Sequence, residues 1–157
     1  MRYLDTLPVD FVYTWVNDQD PAWQRRKQRA LGGSTVEAAA VESCRFVNSD
    51  ELRYSLRSIY TYCPWFRKIF IVTDQQIPPW LCLDDPRVEI IDHQEIFQEE
   101  GTLPCFNSSA IECRLHHIPD LASHWIYLND DFFIGRSVEK SFFFTPKGLQ
   151  NSFSPPP

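Results

Sequence analysis

The sequence predicts an α/β domain in which a mostly parallel sheet is flanked by helices. Three observations carry that expectation: short, nearly uncharged runs of β-branched and aromatic residues, amphipathic segments of helical period between them, and polar residues directly after each run. Strands that are apolar on both sides belong to parallel sheets covered on two faces.

Val9 to Val16 (V-D-F-V-Y-T-W-V) is the first such run and is expected as a strand. Asp20-Pro21 then supplies an N-cap residue and a proline at the first helical position, so A-W-Q-R-R-K-Q-R-A-L is expected as a short basic helix stopped by Gly32-Gly33. Residues 34 to 44 are rich in Ala and Val without a clear period and read as a loop or weak helix. Asn48 and Glu51 have capping-box spacing, and Leu52, Leu56, Ile59 and Tyr60 place an apolar stripe on one face of a helix that Pro64 ends. Ile69 to Thr73 is expected as the second strand, Pro78-Pro79-Trp80 as a rigid turn, and Val88 to Ile91 as the third strand. Ser109 to Glu112 opens a helix with Ile111, Leu115 and Ile118 in register, ended by Pro119. Trp125 to Leu128 is expected as the fourth strand, and residues 146 to 157 as a Pro-rich tail or a truncation behind a domain of residues 1 to 145.

Composition narrows the function classes. The 157 residues are 43% hydrophobic and 23% charged, with 15% aromatic residues to build a dense core in one domain. A net charge of −6 argues against a nucleic-acid partner held through broad positive potential. No apolar stretch approaches the roughly 20 residues that span a bilayer, and Asp5, Asp10, Asp18 and Asp20 interrupt the first 20 positions where a signal peptide would be apolar. Five cysteines, with no C-x-x-C pair and no His at zinc-finger spacing, argue against a zinc site and a disulfide scaffold.

In parallel sheets ligands sit at the carboxyl ends of the strands. Those ends carry Asn17-Asp18, Asp74-Gln75-Gln76, Asp92-His93 and Asn129-Asp130-Asp131, while neither a G-x-G-x-x-G nor a P-loop motif occurs. Adjacent carboxylates emerging from a buried strand repel unless a cation offsets them, so Asp130 and Asp131 are the candidate ligands of Mg²⁺ or Mn²⁺, an Asn-Asp turn being the alternative. Glu112 is a candidate general base or metal ligand with His116 four residues on, but Ser109-x-x-Glu112 is also a capping box. Adjacent His116 and His117 diverge by about 100° on a helix and do not jointly bind one metal easily. Arg53 and Arg57, at i and i+4, could neutralise a diphosphate or be solvated charges. Arg25, Arg26, Lys27 and Arg29 form a basic patch that reads first as a solvated face. Trp15 could stack on a base or belong to the core.

Together these segments resemble the Stealth family of sugar-phosphate transferases. V-D-F-V-Y-T-W-V-N-D (9 to 18) is similar to the family's first conserved block. E-L-R-Y-S-L-R-S-I (51 to 59), P-W-F-R-K-I-F-I-V-T-D-Q-Q-I-P-P-W-L (64 to 81), R-V-E-I-I-D-H (87 to 93), F-N-S-S-A-I-E (106 to 112) and I-Y-L-N-D-D-F-F-I-G (126 to 135) are similar to its second, which would span residues 45 to 135. The family includes bacterial capsule polysaccharide phosphotransferases and the catalytic subunit of the lysosomal-enzyme N-acetylglucosamine-1-phosphotransferase. The phrase around Thr14-Trp15-Val16-Asn17 and the Pro78 to Trp80 turn resemble the eukaryotic enzyme more closely.

The resemblance implies a nucleotide-sugar-transferase-like, Rossmann-like fold. It also implies transfer of a sugar 1-phosphate, such as N-acetylglucosamine 1-phosphate, from a UDP-sugar to an acceptor hydroxyl on a glycan, with UMP released and a divalent metal bound. Glu112 and Asp131 fall where the family has essential acids, with Asp130 beside them. Within the matching segments Thr14, Trp15, Asn17, Arg53, Asp74, Gln76, Asn107 and Asn129 are the candidate substrate contacts. The family's third and fourth blocks, which bring a His and an Arg to the same site, have no counterpart in this sequence, so full activity is expected to need C-terminal sequence that associates with this half. The alternatives are a metal-dependent glycosyltransferase releasing UDP, or a noncatalytic fragment. A eukaryotic member would work in the Golgi lumen and a bacterial one in the cytoplasm.

Overall fold

A computed structural model of the chain describes residues 3–31, 50–99 and 101–151. The four apolar runs are strands: β1 (Val9–Thr14), β2 (Ile69–Thr73), β3 (Val88–Asp92) and β4 (His124–Asn129). They form one sheet in the order β3-β2-β1-β4, and every neighbouring pair is parallel. The expectation of an α/β fold on a parallel sheet therefore holds. β1 ends two residues before Val16, and β3 and β4 run slightly beyond their apolar cores.

Helices cover both faces, which is why β1 and β2 carry apolar residues on both sides of the sheet. On one side α3 (Glu51–Tyr62) seats Leu52, Leu56 and Ile59 on Phe11, Tyr13, Ile69 and Ile71. On the other, Val12, Phe70, Val72 and Ile91 pack against Ile96 of α4 (His93–Ile96), Ile111 of α5 (Ser108–Glu112), Leu115 and Ile118. Removing such a side chain from water is worth about 1.5–3 kcal/mol, so these two layers dominate the stability of the domain. α3 begins after Asp50, whose backbone is left-handed at φ 64°. The expected cap at Asn48, the Gly32-Gly33 stop and the 34 to 44 loop lie outside the described residues. At the other end Cys63 N–H still bonds to Ile59 O at 2.8 Å before Pro64 ends the helix.

α2 (Pro21–Leu31) starts where the sequence indicates, with Asp20 Oδ1 accepting from Ala22 N at 2.8 Å. The helix expected from Ser109 to Ile118 is broken. α5 stops at Glu112, and a separate 3-10 turn follows at Leu115–His117. Ile111, Leu115 and Ile118 still share one cluster, so the apolar pattern was satisfied without a continuous helix. Arg114 anchors the break, pairing with Glu99 at 2.9 Å.

The amino ends of the strands are tied by charge. Asp10, fully buried, accepts from Arg67 Nη2 at 2.6 Å, Arg67 Nε at 2.9 Å, Lys68 N at 3.1 Å and Ala122 N at 2.7 Å. A short α1 (Tyr3–Thr6) brings Leu4 and, just beyond it, Leu7 onto Val9 and Phe144. α6 (Lys140–Phe143) reaches the same corner, with Lys140 Nζ donating to Leu7 O at 2.5 Å. Residues 146–151, which the sequence assigns to the tail, fold back here: Phe144 bridges Gln150, and Gly148 O accepts from or faces His124 Nε2 at 2.8 Å. Gly148 needs its small size, since φ is +80° and a Cβ would meet His124 Nε2 at 3.1 Å.

Candidate functional site

Because all four strands are parallel, their carboxyl ends form a single edge, and the polar residues after them meet there. β1 and β4 are adjacent, with Thr14 opposite Asn129 in register, so the residues following each strand share one end of the sheet. A cleft of about 390 Å³ opens over this end. Thr14, Trp15, Asp74, Asn107, Glu112, Asn129, Asp130 and Asp131 all line it. The remaining candidates do not.

Tyr127 organises the floor of this cleft. Its hydroxyl lies 2.9 Å from Thr14 Oγ1 and can donate to Asn129 Oδ1 at 2.9 Å or Glu112 Oε1 at 3.3 Å. One phenolic proton serves one acceptor at a time, so Thr14 donating into Tyr127 completes a chain with two ends. Burial first, and then the Glu112 and Asp130 charges, push the Tyr127 hydroxyl up to about 12, so it stays a donor at neutral pH. From sequence, Tyr127 falls in the fourth strand and has no assigned role in the site. Its signal was the strand period: Trp125, Tyr127 and Asn129 alternate onto the same face, which leads from the core to the cleft.

Glu112 is free to face the cleft because Asn107 caps the helix instead. Asn107 Oδ1 accepts from Ala110 N at 3.3 Å, so α5 begins at Ser108, and the Ser109–Glu112 capping box does not form. Asn107 thus lines the cleft and also holds the element that carries Glu112. The break after Glu112 cancels its i, i+4 relation to His116. His117 faces away, with Nδ1 3.0 Å from Ile96 O, while His116 is exposed.

Asp130 and Asp131 leave β4 as a pair. Burial, then the neighbouring Asp131 charge and Glu51, raise the Asp130 carboxyl to about 6. Among the described residues no three His, Cys, Asp or Glu side chains converge as a complete cation cage. The donor set is two carboxylates in a row beside an open cleft, which suits a cation completing its shell with substrate oxygens and water.

Three candidates lie elsewhere. Gln76 is buried and braces two loops, its Oε1 accepting from Asn17 N at 2.9 Å while its Nε2 donates to Asn17 O at 2.9 Å and Asp20 Oδ2 at 3.0 Å. Asn17 is the other half of that brace and also accepts from Gln19 N. Arg53 is exposed on α3 and does not line the cleft. The basic patch is more engaged than a solvated face: Arg26 Nε donates to Asp74 Oδ2 at 3.1 Å and its Nη2 to Asp74 O at 2.6 Å. Trp15 is buried against α3, so its ring belongs to the core as well as to the cleft wall.

The family model described as Stealth protein CR2, conserved region 2, matches residues 45–152, and Stealth protein CR1, conserved region 1, matches residues 7–35. The chain belongs to the Stealth family. An exopolysaccharide phosphotransferase of Streptomyces coelicolor is 50% identical over 153 residues, covering 96% of this chain and 16% of the relative. Capsular polysaccharide phosphotransferases of Haemophilus influenzae and Aeromonas hydrophila are each 46% identical, covering 94% and 93% of this chain and 40% and 41% of the relatives. The Stealth regions of this chain therefore span less than half the length of these relatives. Both regions contribute to the cleft, CR1 through Thr14 and Trp15 and CR2 through Glu112, Tyr127 and Asn129 to Asp131. Among the described residues no helix is long and apolar enough to cross a membrane.

Proposed function

We propose that this chain forms the donor side of an enzyme that transfers a sugar 1-phosphate, N-acetylglucosamine 1-phosphate being the favoured case, from a UDP-sugar to a hydroxyl of a glycan. The observation that carries this reading is the convergence of Glu112, Tyr127, Asn129, Asp130 and Asp131 on one cleft at the carboxyl edge of a parallel sheet. The names of the relatives, exopolysaccharide phosphotransferase and capsular polysaccharide phosphotransferase, support the reaction class.

In this reaction the acceptor oxygen attacks the phosphorus nearer the sugar, the bond from that phosphorus to the bridging oxygen breaks, and UMP leaves. Glu112 takes the acceptor proton, and the shared Tyr127 proton holds Glu112 in place without neutralising it. Asp130 and Asp131 would hold Mg²⁺ or Mn²⁺. The ion, when bound, offsets charge on the donor diphosphate. Support for the cation comes from the carboxylates themselves: an Asp raised to about 6 by burial and a like-charged neighbour gains most from a positive partner.

The test is the identity of the released nucleotide. Full-length protein carrying these regions, incubated with UDP-N-acetylglucosamine, Mg²⁺ and a glycan acceptor, is expected to release UMP, and the Glu112→Gln variant at least about 100-fold less. Release of UDP would instead make it a glycosyltransferase, and no release of either nucleotide would remove the catalytic reading.

A further inference from the structure

The turn that carries the two carboxylates is held from inside the core. Phe132 N–H donates to Asn129 O at 3.1 Å, so Asp130 and Asp131 occupy the two central positions of a tight turn directly after β4. Phe132 O in turn accepts from Ser55 Oγ of α3, and the Ser55 hydroxyl lies 2.8 Å from that of Tyr13 in β1. Ser55 has one hydroxyl proton and gives it to Phe132, so Tyr13 is the donor to Ser55. A second relay runs beside the first: Ile134 N donates to Ser58 Oγ at 3.0 Å, and Ser58 Oγ donates to Ser55 O at 2.7 Å.

Tyr13 and Ser55 are both fully buried. Phe and Ala would fill the same space without taking two hydroxyls out of water, so packing alone does not require this pair. A satisfied chain of polar groups in a core instead fixes one arrangement of the elements it joins. Burial pushes the Tyr13 hydroxyl up, so it keeps its proton and remains a donor. The chain joins β1, in conserved region 1, to α3 and the carboxylate turn, in conserved region 2. Successive residues of a strand face opposite sides of the sheet. Thr14 reaches Asn129 through Tyr127 on one face, and Tyr13 reaches Phe132 through Ser55 on the other. Two neighbouring residues of β1 therefore fix the two ends of the Asp130-Asp131 turn.

We infer that Ser55, backed by Tyr13, is a positioning residue that sets the Asp130-Asp131 turn for the transfer reaction. The inference rests on the donor reading above and extends it to two core side chains that do not line the cleft.

Three variants of the full-length protein separate positioning from stability: Ser55→Ala, Tyr13→Phe and the two combined. In Ser55→Ala the Tyr13 hydroxyl and the Phe132 carbonyl both lose their partner, and the melting temperature falls. Without metal or substrate, the Phe132 and Ile134 amides are expected to exchange with solvent at least about tenfold faster than in wild type. With substrate, kcat is expected to fall about tenfold or more while KM for UDP-N-acetylglucosamine stays within about twofold. Tyr13→Phe leaves the bond from Ser55 to Phe132 in place and is expected to lower kcat only about two- to threefold. The double variant has no orphaned tyrosine hydroxyl, so it is expected to melt higher than Ser55→Ala yet keep the fast exchange and the low kcat. Recovery of kcat together with the melting temperature, or wild-type exchange at Phe132 and Ile134 in Ser55→Ala, overturns the inference and leaves the donor reading standing. Failure of the wild type to release either UMP or UDP overturns both. Should Ser55→Ala not fold, the double variant compared with Tyr13→Phe decides.

Discussion

The Tyr127 hydroxyl lies nearer Asn129 Oδ1, at 2.9 Å, than Glu112 Oε1, at 3.3 Å. The second distance is long for a hydroxyl donor. The phenolic proton is therefore shared unequally, held mainly by the amide while still aligning Glu112, and Glu112 keeps its capacity to accept a proton from elsewhere. Tyr127 is a positioning residue under this geometry, and Glu112 is the group it positions.

Tyr127→Phe removes the shared proton and leaves the ring in the core. We expect kcat to fall by about tenfold with little change in KM for donor, and stability to fall by about 1 kcal/mol. Steady-state kinetics beside a urea titration would check this. A rise in KM with unchanged kcat would assign Tyr127 to donor binding instead.

Asp130 makes stability depend on pH in a direction opposite to that of most carboxylates. Its folded value of about 6 stands above the ordinary 3.8, so the folded state holds this proton more tightly than the unfolded chain does. The corresponding stability is present below 3.8 and is lost as pH rises through about 6. Screening at this half-buried site leaves on the order of 1 kcal/mol of that effect. Asp130→Asn should therefore melt higher than wild type at pH 7.5 and equal to it at pH 4. Mg²⁺ or Mn²⁺ should raise the wild-type melting temperature at pH 7.5 only, EDTA should reverse it, and the variant should not respond.

Asn107 offers a way to move Glu112 without touching it. Asn107→Ala deletes the cap of a five-residue helix and is expected to lower stability by about 1 kcal/mol and activity by more than that loss explains. Asn107→Asp preserves the cap and should restore stability. Whether it also restores activity separates capping from substrate contact.

At the opposite end of the sheet Asp10→Ala should be the most damaging single change among those considered, by about 3–5 kcal/mol. It strips Arg67 of a two-bond partner and leaves the Lys68 and Ala122 amides without their acceptor. Equilibrium denaturation would measure the loss. A value near zero would mean that water replaces the carboxylate.

The parts of this structure that were legible in sequence are those where one physical rule acts alone. Ile69 to Val72 is an unbroken apolar run, Ile69 to Thr73 is buried at every position, and the strand covers those same residues. Asp20-Pro21 starts α2 because a cap and a proline at the next position agree. Sequence reading was weakest where two rules competed for the same residues. Ser109 and Asn107 both suit a cap, and the chain uses Asn107, two residues earlier than the capping box requires. Gln76 follows a strand as a ligand-binding residue would, yet its amide spans two loops, a pairing between residues far apart that no local pattern encodes. Asp10 sits inside an apolar run and gives no hint of Arg67 until β1 and β2 are side by side.

The position of β1 between β2 and β4 has a consequence for synthesis on the ribosome. The cleft depends on the pairing of Thr14 with Asn129, two residues far apart in sequence. β1, β2 and β3 can assemble as soon as they emerge, but β1 keeps one unpaired edge until β4 is made, and loop closure over so long a separation is slow. During that interval the nascent chain presents an apolar strand open to pairing with a neighbouring nascent chain. The β1–β4 part of the ligand-binding edge forms only once β4 has emerged, so a ribosome that stops before residue 124 leaves a partial sheet and no cleft between β1 and β4.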